Sequence, residues 1–394
     1  MYQRKSFVIL ALVVSVGIYG VVQSLTYPLL AILLDSRGYD GWLVGFNAAM
    51  MPMGMLVAGA FAPRLVAGMG VYRVIQTALA GVSICLLLLY VLENFAVWMI
   101  LRFVSGVILT IIFVATDSCV NELAEERNRG RILGLYSMAL CLGFILGPLV
   151  LTLFDSQSEI PFLFGIFLPF GTMSMIFLVR GEIKDLDFSG NPVLMWRYFR
   201  RIPVMILAVV FVSFADQSAL SLLPLFGLEY GRSEAEASFL VVAMTTGSFL
   251  LVYPIGWLAD LVPRLGLMTV CSMLASLLSL GVILTADTQM LLPIIVFLWG
   301  GFYYSIYSLT LVRIGQEFSK SDLVGATAAC GAAWGIGGVF GTPLSGAAMD
   351  FIGAAGLFAA NGALFAILTA CLSILMLSKA SPTQPLPTRL KVHD

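Results

Sequence analysis

Charge is scarce in this sequence. Lys, Arg, Asp and Glu together make up 11% of its 394 residues and apolar types 60%, against roughly a quarter and a half in an ordinary soluble domain. A water-soluble fold cannot hide that much apolar surface. The net charge of -1 leaves no basic field to hold nucleic acid. The lone histidine, His393, lies in a charged tail, so neither a His-based metal centre nor a Ser–His–Asp triad can be built. No glycine-rich phosphate cradle is present, which removes ATP-driven transport on this chain. The six cysteines (Cys85, Cys119, Cys141, Cys271, Cys330, Cys371) sit in different apolar runs with no spacing that would chelate zinc, and read as small packing residues. No cofactor and no catalytic residue is implied, and the chain reads as a non-enzyme.

What the sequence has in abundance is long apolar runs. A spanning helix needs roughly 20 mainly apolar residues, and twelve runs qualify: Phe7 to Leu34, Gly41 to Ala62, Val74 to Leu92, Phe95 to Val120, Ile132 to Phe154, Pro161 to Val179, Val204 to Leu228, Ala237 to Ala259, Leu265 to Ala286, Met290 to Val312, Leu323 to Met349 and Phe351 to Ser378. The first run is much longer than a signal-peptide core and stays in the mature protein. An even count places both termini on one side. Of the 21 Lys and Arg residues, eighteen fall on that side, Arg37 and Arg232 on the other, and Arg102 inside a span. Basic residues are retained in the cytoplasm during insertion, so the expectation is a multi-pass plasma-membrane protein, in the inner membrane of a Gram-negative source, with both termini cytoplasmic.

One long polar connection, residues 181–203 with Gly190-Asn191-Pro192, follows the sixth span. It divides the chain into a bundle over 1–180, a cytoplasmic linker over 181–203, a second bundle over 204–378 and a tail over 379–394. Sliding the chain by 195 residues sets Gly130 on Gly325, Gly143 on Gly338 and Pro148 on Pro343, and nearby shifts match Gly59 with Gly256 and Pro28 with Pro224. That offset equals six helices, so the halves read as a duplication of the kind transporter folds use.

Gly59-Ala60-Phe61-Ala62-Pro63-Arg64 resembles the G-x-x-x-D-R signature that the major facilitator superfamily carries after its second span, and Gly256-Trp257-Leu258-Ala259-Asp260 with Pro263-Arg264 is the second-half counterpart. Arg102-Phe103-Val104-Ser105-Gly106 resembles the superfamily's R-x-x-x-G element. Asp117-Ser118, Asn128-Arg129-Gly130-Arg131 and Tyr136 resemble the YcaD-like branch, whose members are mostly transporters of unassigned substrate. The resemblance covers nearly the whole chain and implies an all-α membrane protein of twelve helices in two six-helix bundles. It also implies a cytoplasmic gate around Arg64, Asp117, Arg131 and Asp260. Pro63 stands where the first signature carries its Asp, so the relay implied by that Asp is not carried over; Asp322, at the positive end of the eleventh span, is a candidate substitute.

Ionisable groups at membrane depth are functional candidates by default, and only Arg102, Asp117 and Asp216 lie well inside spans. Asp216 is the deepest, roughly 18 Å along its helix at 1.5 Å per residue. It reads either as a cavity carboxylate that binds a solute donor or takes up a proton, or as an interhelical tie. Gln217 beside it, and Gln23 and Tyr27 in the first span, suit the same cavity wall. Arg102 reads as an anchor to first-span carbonyls or to a carboxylate or, as the resemblance implies, as a coupling residue; it is also the candidate electrostatic modifier of Asp216. Asp117 suits a gate ion pair with Arg127, Arg129 or Arg131 better than substrate binding. Gly143 to Pro148 carries small residues four apart and reads as tight packing. Tyr303 and Tyr307 share a helix face in the tenth span and, with Trp334, suit planar rings.

The resulting expectation is a monomeric secondary transporter working by alternating access, as symporter or antiporter, on a small, neutral or weakly charged, partly aromatic solute, with protons or solute gradients as the energy source. Efflux of drug-like or metabolic compounds and uptake of a flavin-like vitamin both fit. A non-transporting receptor on the same fold is the alternative class. The topology is tested by single-cysteine labelling: Ser36→Cys and Ser158→Cys are expected to react from outside and Ser189→Cys only from inside, and the reverse pattern would overturn the orientation.

Overall fold

The computed structural model describes residues 2–123, 128–180, 196–318 and 320–380, and the regular structure of the described residues is wholly helical. The first half holds α1 (Tyr2–Ser36), α2 (Gly41–Gly59), α3 (Ala62–Met69), α4 (Val71–Val91), α5 (Phe95–Leu123), α6 (Arg129–Leu153) and α7 (Ile160–Leu178). A short α8 (Trp196–Arg201) leads into α9 (Pro203–Glu229), α10 (Glu234–Leu250), α11 (Val252–Leu261), α12 (Arg264–Leu284), α13 (Leu291–Glu317), α14 (Lys320–Ile352) and α15 (Gly356–Ala380). Among the described residues, eleven stretches are long and apolar enough to cross a membrane, one of them Glu234–Leu261, which joins α10 and α11. The 33 residues of α14 make the twelfth long helix. Much of the linker, over 181–195, and the tail from 381 onward lie outside the described residues.

Some boundaries differ from the apolar runs, for local reasons. The second run stops at Gly59 and the chain restarts as α3 with Pro63 in its first turn, where a missing N–H costs nothing. The eighth run begins earlier than its first apolar residue because Ser233 and Glu236 form a capping box: the Ser233 hydroxyl accepts from the Glu236 N–H at 3.3 Å and the Glu236 carboxylate from the Ser233 N–H at 3.0 Å. Such reciprocal caps satisfy donors that a helix start leaves free.

Glycines set how the helices approach one another. A Cβ on Gly143 would run into the Gly17 carbonyl, joining α6 to α1, and one on Gly337 into the Val210 carbonyl, joining α14 to α9. Gly106 lies on the Met51 carbonyl (α5 on α2) and Gly300 on the Met244 carbonyl (α13 on α10). The two halves therefore pack by one plan. The structural register pairs Gly143 with Gly337 and Gly106 with Gly300, one residue short of the shift that aligns Gly143 with Gly338.

Between the halves, Gly45 of α2 meets the Thr342 carbonyl of α14, and Gly346 of α14 meets the Gly41 carbonyl. The Asp350 carboxylate at the end of α14 accepts from the Gly41 N–H at 2.7 Å and the Trp42 N–H at 2.8 Å. These are the free donors of the first turn of α2, and a carboxylate there is also favoured by the helix dipole. The Ser156 N–H donates to Glu234 across the halves at 3.1 Å. All these contacts lie toward the face opposite the termini. Toward the termini-bearing face, Gly59, Gly134, Gly256, Gly315 and Gly331 have open space where a side chain would begin. One face is closed and the other splayed.

Substitution tests the packing directly. Gly106→Ala and Gly300→Ala place a methyl against backbone and are expected to lower the detergent melting temperature by a few degrees, in line with an overpacking cost of about 1–3 kcal/mol. Gly59→Ala and Gly256→Ala are expected to melt like the parent. Equal melting of all four would contradict the backbone-contact account.

Candidate functional site

The splay leaves a cavity of about 340 Å³ between the halves. Asp216, midway along α9, lines it and is 8% exposed. A carboxylate at this depth needs partners, and it has two: the Tyr303 hydroxyl donates to one oxygen at 2.9 Å and the Gln217 side-chain amide to the other at 3.0 Å. Among the described residues lining the cavity, Asp216 is the sole charged one.

Much of the rest of the wall is aromatic. Phe113 lies 5.4 Å from Tyr19, Tyr19 6.4 Å from Phe144, and Phe144 6.1 Å from Phe249, where the chain of rings crosses from the first half to the second. It continues from Phe249 to Tyr304 at 5.7 Å and from Tyr304 to Trp334 at 6.2 Å, with Tyr307 4.9 Å from Trp334. These separations suit edge-to-face and offset contacts, and a planar ring can join the series.

Of the residues expected at the site, Gln23, Asp216, Gln217, Tyr307 and Trp334 line this cavity. Tyr303 does not; it is fully buried behind the wall and acts by holding Asp216. Tyr27 and Arg102 form a separate buried cluster, the guanidinium 4.7 Å over the Tyr27 ring and donating to the Thr26 carbonyl at 3.3 Å. Arg102 is thus an anchor to first-span groups and makes no ion pair with Asp216. The lining also includes Tyr19, Phe113, Phe144, Thr245, Ser248 and Phe249, which were not anticipated. Tyr19 stands one helical turn from Gln23, a spacing that could have disclosed it; the phenylalanines carry no sign distinguishing them from lipid-facing rings.

The gate residues do not converge as expected. Asp260 pairs with Arg264, four positions on, at 3.4 Å, because the turn between α11 and α12 returns Arg264 to it. Arg131 and Arg64 are exposed, while Arg127 and the Arg129 side chain lie outside the described residues. The Asp117 backbone carbonyl accepts from the Asn121 side chain at 2.9 Å. Asp322, in the first turn of α14, is held by the α8 side chains instead, by the Tyr198 hydroxyl at 2.9 Å and Arg201 at 3.3 Å. That hydrogen bond to a carboxylate holds the Tyr198 hydroxyl above the usual phenol range.

The family model for the Major Facilitator Superfamily matches residues 12–309 and 205–392. The chain belongs to the Major Facilitator Superfamily. Its relatives include the uncharacterized MFS-type transporter YfkF of Bacillus subtilis, 25% identical over 65% of this chain and 66% of that protein, just under two thirds of its length. They also include YE1530 of Yersinia enterocolitica, 25% identical over 82% and 84% of the two chains, and YcaD of Salmonella enteritidis, 23% identical over 79% and 81%. This superfamily member therefore sits with the YcaD-like transporters and is a membrane transporter, not an enzyme. Among solved structures, the nucleoside transporter NupG superposes with a TM-score of 0.78 at 11% identity, covering 95% of this chain and 99% of NupG. A D-xylose-proton symporter superposes at 0.71 with 14% identity over 94% and 97%. A bacterial homologue of the lysosomal transporter Spinster, in an inward-facing occupied state, superposes at 0.73 with 13% identity over 95% and 96%. At these identities the likeness is one of fold.

Proposed function

We propose that this protein carries a small, neutral or weakly charged solute with a planar ring across the membrane by alternating access, with Asp216 as the group on which coupling turns. The observation that carries the reading is a cavity walled by rings of both halves and bearing a single carboxylate. Ligand cavities run from about 300 to 1,000 Å³, so a volume of about 340 Å³ favours a solute of one or two rings over a flavin-sized one. The structural neighbours bear the names of a nucleoside transporter and a xylose symporter, so the fold fixes no solute and the lining residues must decide.

The asymmetry of the interface supports alternating access. The backbone contacts of Gly41, Gly45 and Gly346 and the Asp350 cap join α2 to α14 at one face; these would part, and the splayed face would close, if the halves rocked about the middle of α1 and α9. The distribution of Lys and Arg supports a cytoplasmic position for the open face. In this state Asp216 is reached from the cytoplasmic side, and in the opposite state from outside. A proton bound in one and released in the other would link solute movement to a pH gradient.

The test uses proteoliposomes and a ring solute first identified by thermal shift in detergent. Asp216→Asn is expected to preserve folding and solute exchange and to lose accumulation driven by an imposed pH gradient. Undiminished pH-driven accumulation by the variant would remove Asp216 from the coupling mechanism.

A further inference from the structure

Two amide oxygens in the cavity wall lack a donor. Gln217 commits its NH₂ group to Asp216, which fixes its Oε1 as the free end, and that oxygen is buried without a partner. Gln23, 2% exposed on α1, likewise has Oε1 buried and unpaired. The register that relates Gly143 to Gly337 also carries Gln23 onto Gln217. The two amides thus come from equivalent positions of the two halves, and both line the same cavity.

Three of the donors nearest the amides are already committed, while the Tyr19, Tyr304 and Tyr307 hydroxyls and the Trp334 indole N–H belong to the aromatic part of the wall. The Thr245 hydroxyl donates to the Val241 carbonyl at 2.8 Å, Ser248 to the carbonyls of Met244 and Gly300 at 3.0 and 3.1 Å, and Tyr303 to Asp216. With the carboxylate as a third acceptor and no cationic side chain among the lining residues, the amide and carboxylate groups offer a solute acceptors, and the ring hydroxyls lie along the aromatic arc. A buried acceptor left unpaired costs roughly 1–3 kcal/mol, and a site built to bond donors rejects analogues that lack them.

We infer that Gln23 and Gln217 are specificity-determining acceptors, and that the site selects planar ring solutes bearing an edge of two or more N–H donors, such as a carboxamide, an amidine, or an amino group beside a ring N–H. The aromatic arc takes the ring faces and the two amide oxygens, one of them beside Asp216, take the donor edge. This rests on the reading of the cavity as the solute site. It adds a requirement which that reading does not contain, since rings without donors would fill the arc equally well.

Calorimetric titration of the purified full chain with benzamidine, benzamide and N,N-dimethylbenzamide separates the two, because the ring is constant and only the donors change. Benzamide is expected to bind at least about tenfold tighter than its dimethyl analogue, the loss of about one good hydrogen bond, with benzamidine tighter still through Asp216. In Gln23→Met and Gln217→Met, each first checked for parental melting, the benzamide preference is expected to shrink severalfold while affinity for the dimethyl compound holds. Equal binding of all three compounds by the parent would overturn the donor-edge inference and leave the ring-binding site intact. A preference undiminished in both variants would overturn the assignment of the two glutamines. No binding of any of them at millimolar concentration would overturn both this inference and the reading of the cavity.

Discussion

Membrane-embedded helices gain no hydrophobic free energy by leaving lipid for one another, so their association depends on close packing and hydrogen bonds. In this protein that constraint is met by backbone-to-backbone approach at glycine. The α1–α6, α9–α14, α2–α5 and α10–α13 pairs all close through a glycine seated on a carbonyl of the neighbouring helix. The same device, with Gly41, Gly45 and Gly346, joins α2 to α14 across the halves, and Asp350 caps it. Because these inter-half contacts are gathered toward one face, the opposite face is left apart. The cavity is a consequence of where the glycines stop touching.

Within that cavity the energetics of one carboxylate organise the polar groups. Asp216 is tolerated at membrane depth because Tyr303 and Gln217 satisfy both its oxygens, and this commitment in turn fixes the free end of Gln217. Tyr303 is itself locked among rings, 4.6 Å from Trp299 and 6.2 Å from Phe365. The wall is therefore preorganised: an aromatic arc together with oriented acceptors. A solute that satisfies both needs little rearrangement to bind, which keeps affinity from being spent on ordering side chains.

Much of the fold was legible because hydropathy and the asymmetry of Lys and Arg are strong signals. The duplication was visible too, but off by a residue: matching glycines such as Gly143 and Gly338 reflect composition in a Gly-rich helix, whereas the pairing of Gly143 with Gly337 is decided by which glycine meets α9. That slip hid the equivalence of Gln23 and Gln217. Asp216 and its neighbour stood out as rare polar groups in an apolar run. Phe113, Phe144 and Phe249 did not, since a phenylalanine facing a cavity and one facing lipid look alike without the helix rotation. Arg102 was left open between an anchor to the first span and a coupling residue, because its stacking on Tyr27 and its bond to the Thr26 carbonyl depend on a crossing of α1 and α5 that no local pattern encodes. Asp260 turned to Arg264 for a similar reason, the turn between α11 and α12 bringing the nearest cation back to it.

The central claim is that one face is latched by α2 and α14 while the cavity opens through the other. Gly331 lines the cavity and has room for a side chain, so Gly331→Cys in a background without the native cysteines reports access to it. A membrane-impermeant thiol reagent is expected to label this position from the termini-bearing side and to gain reactivity from the opposite side when Asp350→Ala removes the cap on α2. Labelling from the opposite side alone, or an accessibility unmoved by Asp350→Ala, would contradict the account.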